Sequence, residues 1–403
     1  MLIYYRQTLL RLLEKLRLLR TSPLESHQLC LDIQETLIRK ITYLEKRIQV
    51  LKARIKEQKI SLKTKRSVPL TKDEANIIKS RIEHSQYLID EYQNLKYTFK
   101  TIGDALAFTY LDKWDIKPLT FKESTGNLLG KEGARLERGA FRKALQLGHI
   151  AILNDITNCL RYGDITVPKE GYPLIFEMKS GKVRNDRTER QLNGIEKIVN
   201  YWNTDRAEGL YKDNFDMMRI DAHSTDTHHR EKLNEIIRVA LAKGKNWLEV
   251  ENGVYYYVAK DFDITDVDAI ISKCVGELFI FYVNEAKYSN TAYYPFSLSI
   301  EDPDAFLEFY AGELSIFVLI DTAVIVSKLA SKGLAVSFES DEPFAMDLTF
   351  MGAEGEDKAN FMKISRHMFG RIACEFMSLN WLLEEIISKA SNPYKLLESE
   401  IAA

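Results

Sequence analysis

GDITVPKEGYPLIFEMKSGK, residues 163–182, is the stretch on which the reading of this chain turns. Leu174, Ile175 and Phe176 are apolar, as a buried strand requires, yet the run continues directly into Glu177, Met178 and Lys179. Side chains alternate along a strand, so Glu177 and Lys179 share a face with Ile175, while Leu174, Phe176 and Met178 take the other. Two opposite charges are thereby held side by side on a stiff element. Upstream, Gly163 and Asp164 head a short strand, and the turn KEGYP returns the chain antiparallel beside it. Such a hairpin brings the carboxylates of Asp164 and Glu177 together at one edge of a sheet.

Two carboxylates that close repel each other unless a cation lies between them. Oxygen ligands suit Mg²⁺ or Mn²⁺, which keep several waters and coordinate phosphate at the same time. Lys179 then orients or deprotonates a water and stabilises charge building on phosphorus. The expected chemistry is in-line attack on a phosphodiester. The Glu-x-Lys triplet alone is weak support, because it occurs four times, at Glu57, Glu177, Glu285 and Glu356. Only Glu177 has the Gly-Asp strand and the tight turn. The plain alternative is that Asp164 caps a turn and that Glu177 and Lys179 form a surface ion pair worth little to stability. Lys182, Arg184, Arg187 and Arg190 follow where a loop enters the next helix, and basic side chains at a helix start suit phosphate. A solvated basic loop is the alternative there.

Around this hairpin, GKEGARLERGAFRKALQLG reads as a helix of about four turns, HIAILNDITN as an apolar strand, 187–204 as a helix and FDMMRID (215–221) as a strand. The succession is that of a compact α/β unit. Residues 118–130 read as a loop. N-terminal to the unit, Ile33, Leu37, Ile41, Leu44, Ile48, Leu51, Ile55 and Leu62 form a heptad seam. Pro69 interrupts it, and Thr71 with Glu74 makes a capping box that starts a second helix, striped by Ile78, Ile82, Ile89, Tyr92 and Phe99. The pair is either an antiparallel hairpin with a basic tip or an intermolecular coiled coil. Residues 1–70 hold 16 Lys and Arg against 6 Asp and Glu, so the net charge of -2 conceals an N-terminal surplus of ten. Such an arm suits phosphate backbones, or solubilises an exposed helix.

Beyond residue 231, Asn252 and Gly253 mark a hairpin, LFIFYVN and YYPFSLSI read as strands, and 357–390 as a long amphipathic helix. His223, His228 and His229 cluster in DAHSTDTHHREK, which reads as a helix start capped by Asp226 or Thr227 rather than as a metal site. Cys30, Cys159, Cys274 and Cys374 lack metal-binding or disulfide-framework spacing, so a reducing cytoplasm is the expected compartment. The N-terminal segment carries charges through its apolar residues, unlike a signal peptide, and 314–326 is too short to span a bilayer and contains Asp321. No GxxxxGK[ST] phosphate loop occurs.

GDITV, a turn and LIFEMKSGK resemble the core signature of the PD-(D/E)xK, or restriction-endonuclease-like, nuclease superfamily, over about residues 131–222. That family's helix, three strands, helix, strand order matches the succession above. The resemblance implies that Asp164 and Glu177 are metal ligands and that Lys179 is the catalytic lysine. It also implies a glutamate from the first helix, Glu137 in ARLERGAF or else Glu132, and a glutamine from the second, Gln191. Gly163 stands where the family name has proline, and Ile195 where one exonuclease-type subgroup has tyrosine. The expected fold is an α/β nuclease core (αβββαβ) with an N-terminal α-helical coiled-coil hairpin and a C-terminal α+β domain, divided as 1–100, 101–230 and 231–403. The expected function is Mg²⁺- or Mn²⁺-dependent hydrolysis of phosphodiester bonds in DNA, with homo-oligomerisation or partner docking through the coiled coil and no membrane. By analogy of architecture this looks like a prokaryotic antiviral defence or restriction effector. The alternatives are a repair or recombination nuclease, and a catalytically inactive nuclease-fold scaffold acting through its coiled coil.

Overall fold

In the computed structural model the heptad seam folds inside the chain. α1 (Leu2–Thr21) leads through a short 3₁₀ turn to α2 (His27–Lys63), and α3 (Lys72–Tyr110) packs along α2. The seam positions Ile33 to Ile55 are buried on α2, and Ile48, Leu51 and Ile55 meet Ile89. The capping box forms as the sequence requires: Thr71 Oγ1 accepts from Glu74 N at 3.2 Å and Thr71 N donates to Glu74 Oε2 at 2.9 Å. α1 packs against α2 and α3 and buries Leu9, Leu12, Leu13, Leu16 and Leu19, each fully buried leucine contributing about 1.5–3 kcal/mol. The structure describes residues 2–63, 70–121, 126–131, 133–169, 172–178, 186–210, 216–219, 222–261, 267–289, 291–339, 343–351 and 362–390.

α3 does not stop at the helical arm. Every residue from Thr98 to Ala107 is buried, polar ones included, which marks a helix surrounded on all sides. After α4 (Lys113–Leu119) and α5 (Ala134–Gln146), the strands β1 (Ile152–Leu153), β2 (Ile165–Val167) and β3 (Leu174–Phe176) form an antiparallel sheet in the order β1-β2-β3. α6 (Asp186–Thr204) follows, packing through Ile198, Tyr201 and Trp202 into a core shared with Ala107, Ile116, Ile152 and Leu160. The strand expected at 215–221 appears as β5 (Asp216–Met218). It pairs with β4 (Arg206–Glu208) as a separate two-stranded ladder and not with β1-β2-β3.

Met1–Arg219 form one compact unit and Ile220–Ala403 a second. The helical region and the residues around Asp164 therefore belong to one body. The second unit is α+β. Its elements are α7 (Arg230–Lys243), β6 (Lys245–Glu251), β7 (Val254–Ala259), α8 (Asp268–Ile271), β8 (Leu278–Tyr282), α9 (Phe296–Ser299), α10 (Pro303–Ala311), β9 (Ser315–Asp321), α11 (Thr322–Ala330), β10 (Leu334–Phe338), β11 (Phe344–Phe350), β12 (Met362–Ser365), α12 (Arg366–Cys374) and α13 (Leu379–Ala390). They build antiparallel sheets in the orders β6-β7-β9-β8 and β10-β11-β12. Asn252-Gly253 makes the expected hairpin, with Gly253 at φ 74.

Three readings fail in this unit. YYPFSLSI is not a strand but the short helix α9, because Pro295 at its N-cap starts a turn whose four residues are all buried. Residues 357–390 are not one helix: β12 occupies 362–365, and α12 is separated from α13 where Phe376 takes φ 57. The cap of α7 is His229, whose side chain makes no cap hydrogen bond, rather than Asp226 or Thr227. Its histidine cluster is tied down by backbone: His223 N donates to Glu385 Oε2 at 2.7 Å and His229 N to Phe376 O at 2.7 Å. Among the described residues no helix is long and apolar enough to cross a membrane.

Candidate functional site

The β2–β3 register pairs Ile165 with Phe176, and continuing it by one residue sets Asp164 opposite Glu177. Gly163 makes the approach possible. It sits at φ 70, and a Cβ there would fall 2.4 Å from Ile175 Cγ2 and 2.9 Å from Phe176 O. Proline, locked near φ -65, is excluded from this backbone conformation, which is the physical content of the departure at that position. Asp164 N then donates to Phe176 O at 2.8 Å. Its Oδ2 accepts from Met178 N at 2.7 Å, so the carboxylate is oriented by the segment that leaves β3 and carries Glu177.

Asp164 is buried, and it is not alone. Lys131 Nζ lies 2.6 Å from Asp164 Oδ1, 2.8 Å from Asp155 Oδ2 and 3.1 Å from Glu137 Oε2. All three carboxylates are at most 5% exposed. Among the described ion pairs one ammonium therefore serves three acids, so these carboxylates outnumber the cation that bridges them by two. Burial works against the Lys131 cation, but Asp155 and Asp164 outweigh it and hold its pKa above the usual lysine value. Glu137 is pushed the other way: burial raises its carboxyl pKa, and the charge of Asp164 raises it further against the pull of Lys131.

The helices build this cluster. Gln34 on α2 acts as a substitute strand for β1, donating Nε2 to Ala151 O at 2.8 Å and accepting from Leu153 N at 2.9 Å. Gly103 on α3 lets the 3₁₀ turn at 154–156 approach; a Cβ there would lie 2.1 Å from Ile156 O. Asp104 caps the following backbone, accepting from Asn158 N at 2.6 Å and Cys159 N at 3.0 Å. Asp155 is thus aimed by contacts with two N-terminal helices. Glu45 on α2 accepts from Leu129 N at 2.8 Å, which steadies the segment presenting Lys131. α5 brings Glu137 in its first turn. A further lysine, Lys100 on α3, is buried beside the cluster; desolvation and Lys96 depress its pKa to about 8, against the pull of Asp155.

Of the residues singled out by sequence, Asp164 and Glu137 meet through Lys131. Glu177 is half-buried on the hairpin, and it is not among the ion-pair partners of Lys131. Lys179, Lys182, Arg184 and Glu132 lie outside the described residues. Arg187 falls in the first turn of α6, and along the same helix Arg190 is exposed and Gln191 half-buried. Sequence reasoning missed Lys131 and Asp155. The signal for Asp155 was a lone acid within the apolar run AILNDI, whereas Lys131 in GKEG carries none.

The donor set is all oxygen, the kind taken by Mg²⁺ or Mn²⁺. Its centre is held by an ammonium at hydrogen-bond distances, and among the described residues no group of three His, Cys, Asp or Glu side chains has metal-holding geometry. The donors are hard oxygens, and the ammonium of Lys131 occupies the point on which they converge. Set beside models of protein families, curated proteins and solved structures, the chain matches none of them.

Proposed function

We propose that this chain is a metal-dependent nuclease that hydrolyses phosphodiester bonds in DNA. The observation that carries the reading is the convergence of Glu137, Asp155 and Asp164 on one cation position, at the edge of the hairpin whose register sets Glu177 opposite Asp164. Asp164 and Glu177, with Glu137 or Asp155 beside them, would hold Mg²⁺ or Mn²⁺, which lowers the pKa of bound water and neutralises charge on a phosphoryl group. Met178 N orients the carboxylate of Asp164 for that role. Lys131, kept protonated by its neighbours, is no general base near neutral pH; its Nζ is a positive charge that holds the acids together until a divalent ion replaces it. Lys179 remains the proposed residue for water activation.

The same ammonium favours a second reading, a nuclease-like fold whose cation position is permanently filled and whose helices do the work. Incubating the purified protein with plasmid and linear DNA, with Mg²⁺ or Mn²⁺ and with chelator, separates the two. Cleavage that needs the divalent ion and vanishes in Glu177→Ala and Asp164→Asn is the expected result. Cleavage that persists in both variants sinks the site assignment, and an inert wild type on every substrate supports the scaffold.

A further inference from the structure

A second feature of the N-terminal unit has the opposite charge. α1 and α2 flank an open cleft of about 570 Å³ whose walls carry Arg11 and Lys15 on one helix and Arg39 and Lys40 on the other. Among the described residues no carboxylate lines it. Lys15 pairs with Asp32 at 3.3 Å outside the cleft, an exposed bond that salt weakens. Arg39 is steadied by its contact with Thr36 Oγ1 at 3.3 Å, and Lys40 lies 5.5 Å from the centre of the Tyr5 ring. Tyr43, also in the wall, leaves half its surface to solvent. Four cations gathered in one cleft repel each other, and half of the Tyr43 side chain is left facing solvent. Both make sense if a ligand supplies negative charge and a flat face.

We propose that this cleft binds single-stranded nucleic acid, its phosphates on Arg11, Lys15, Arg39 and Lys40 and a base stacked on Tyr43. Cationic grooves with an aromatic platform are how single strands are held without sequence preference. An aromatic face within the cleft suits the unstacked bases of a single strand, which a duplex does not present. Binding here needs neither the carboxylate cluster nor a divalent ion. It therefore stands or falls separately from the nuclease reading.

The test is fluorescence anisotropy of the full-length protein with a labelled oligothymidylate of about 20 nucleotides, in chelator so that no cleavage enters. The expected affinity falls steeply with salt, with a log-log slope near -3 for about four phosphate contacts. Arg39→Glu/Lys40→Glu weakens binding by about tenfold or more, and Tyr43→Ala by about fivefold or more through lost stacking. Arg39→Gln/Lys40→Gln gives the same direction should charge reversal disturb folding. Lys52→Glu/Lys56→Glu, on the basic stretch farther along α2, leaves the Tyr43→Ala effect intact. The proposal is overturned if the Arg39/Lys40 variants, with unchanged thermal midpoints, bind like wild type. It is equally overturned if Tyr43→Ala is silent while heparin competes as well as the oligonucleotide, since the cleft is then a surface for polyanions in general.

Discussion

In the unit Ile220–Ala403, Asp321 accepts from Val275 N, Gly276 N and Ala323 N, and Arg371 is clasped by both oxygens of Glu375 at 2.9 and 2.8 Å. In the unit Met1–Arg219, three buried acids divide one ammonium. The first arrangement gives Asp321 three backbone donors of its own and the guanidinium of Arg371 a carboxylate of its own, which lowers the cost of burying each charge. The second divides one bridging cation among three acids in a place shielded from water, with Lys100 buried beside them. That sharing, rather than acidity as such, distinguishes the cluster around Asp164.

That contrast can be broken from either side. The largest effect belongs to the balanced pair. Glu375→Ala strands the guanidinium of Arg371, which is 0% exposed, and is expected to cost about 3–5 kcal/mol in denaturant unfolding. Added Mg²⁺ or Mn²⁺ should recover none of it.

Lys131→Met removes the cation from three acids and is expected to cost about 2–3 kcal/mol near neutral pH. Glu137, whose carboxyl pKa is raised by burial and by the charge of Asp164, then loses the opposing pull of Lys131. Its protonated form favours the fold, so the deficit shrinks as pH falls toward the unfolded carboxylate range and grows as pH rises through the folded value. A divalent ion should raise the thermal midpoint of this variant more than that of wild type. A deficit indifferent to both pH and divalent ions would remove the distinction between the two units.

Lys100 provides a smaller, pH-resolved test. With its pKa depressed to about 8 against an ordinary 10.5, the unfolded chain binds more protons between those values, so stability climbs with pH across that window. The rise is on the order of 3 kcal/mol, and Lys100→Met should flatten it while stabilising the protein at pH 7. Denaturation curves at either end of the window measure it.

The smallest expected change is the most telling. Asp155→Asn relieves one excess charge and should leave stability within about 1 kcal/mol of wild type, or raise it. The same isosteric swap at Asp321 turns an acceptor into a donor facing a backbone N–H and should cost about 2 kcal/mol. Equal losses at the two positions would sharpen Asp155 into a structural residue.

Some of this was open to reading in the residues. Heptad spacing and the Thr71/Glu74 box are local, and α2 (His27–Lys63) spans the whole seam from Ile33 to Leu62. Asn252-Gly253 announces its turn through backbone preference alone. The hairpin that sets Asp164 opposite Glu177 follows from Gly163 and side-chain alternation, both short-range. YYPFSLSI misled because a buried apolar run of that length suits a strand or a helix turn equally, and its burial, not its periodicity, was legible.

What the amino-acid order determined, then, were the elements whose instructions lie within a turn or two of themselves: the paired helices, the caps, the hairpins and the acid at the head of β2. Only the tertiary structure decided what those elements share. Lys131 is 33 residues from Asp164 in sequence, and Gln34 is 117 from Ala151. Their meeting depends on α2 and the buried half of α3 closing over β1, a long-range packing outcome. The charge balance of the cluster is a property of that packing, because an acid becomes unmatched only when the fold has fixed how many donors can reach it.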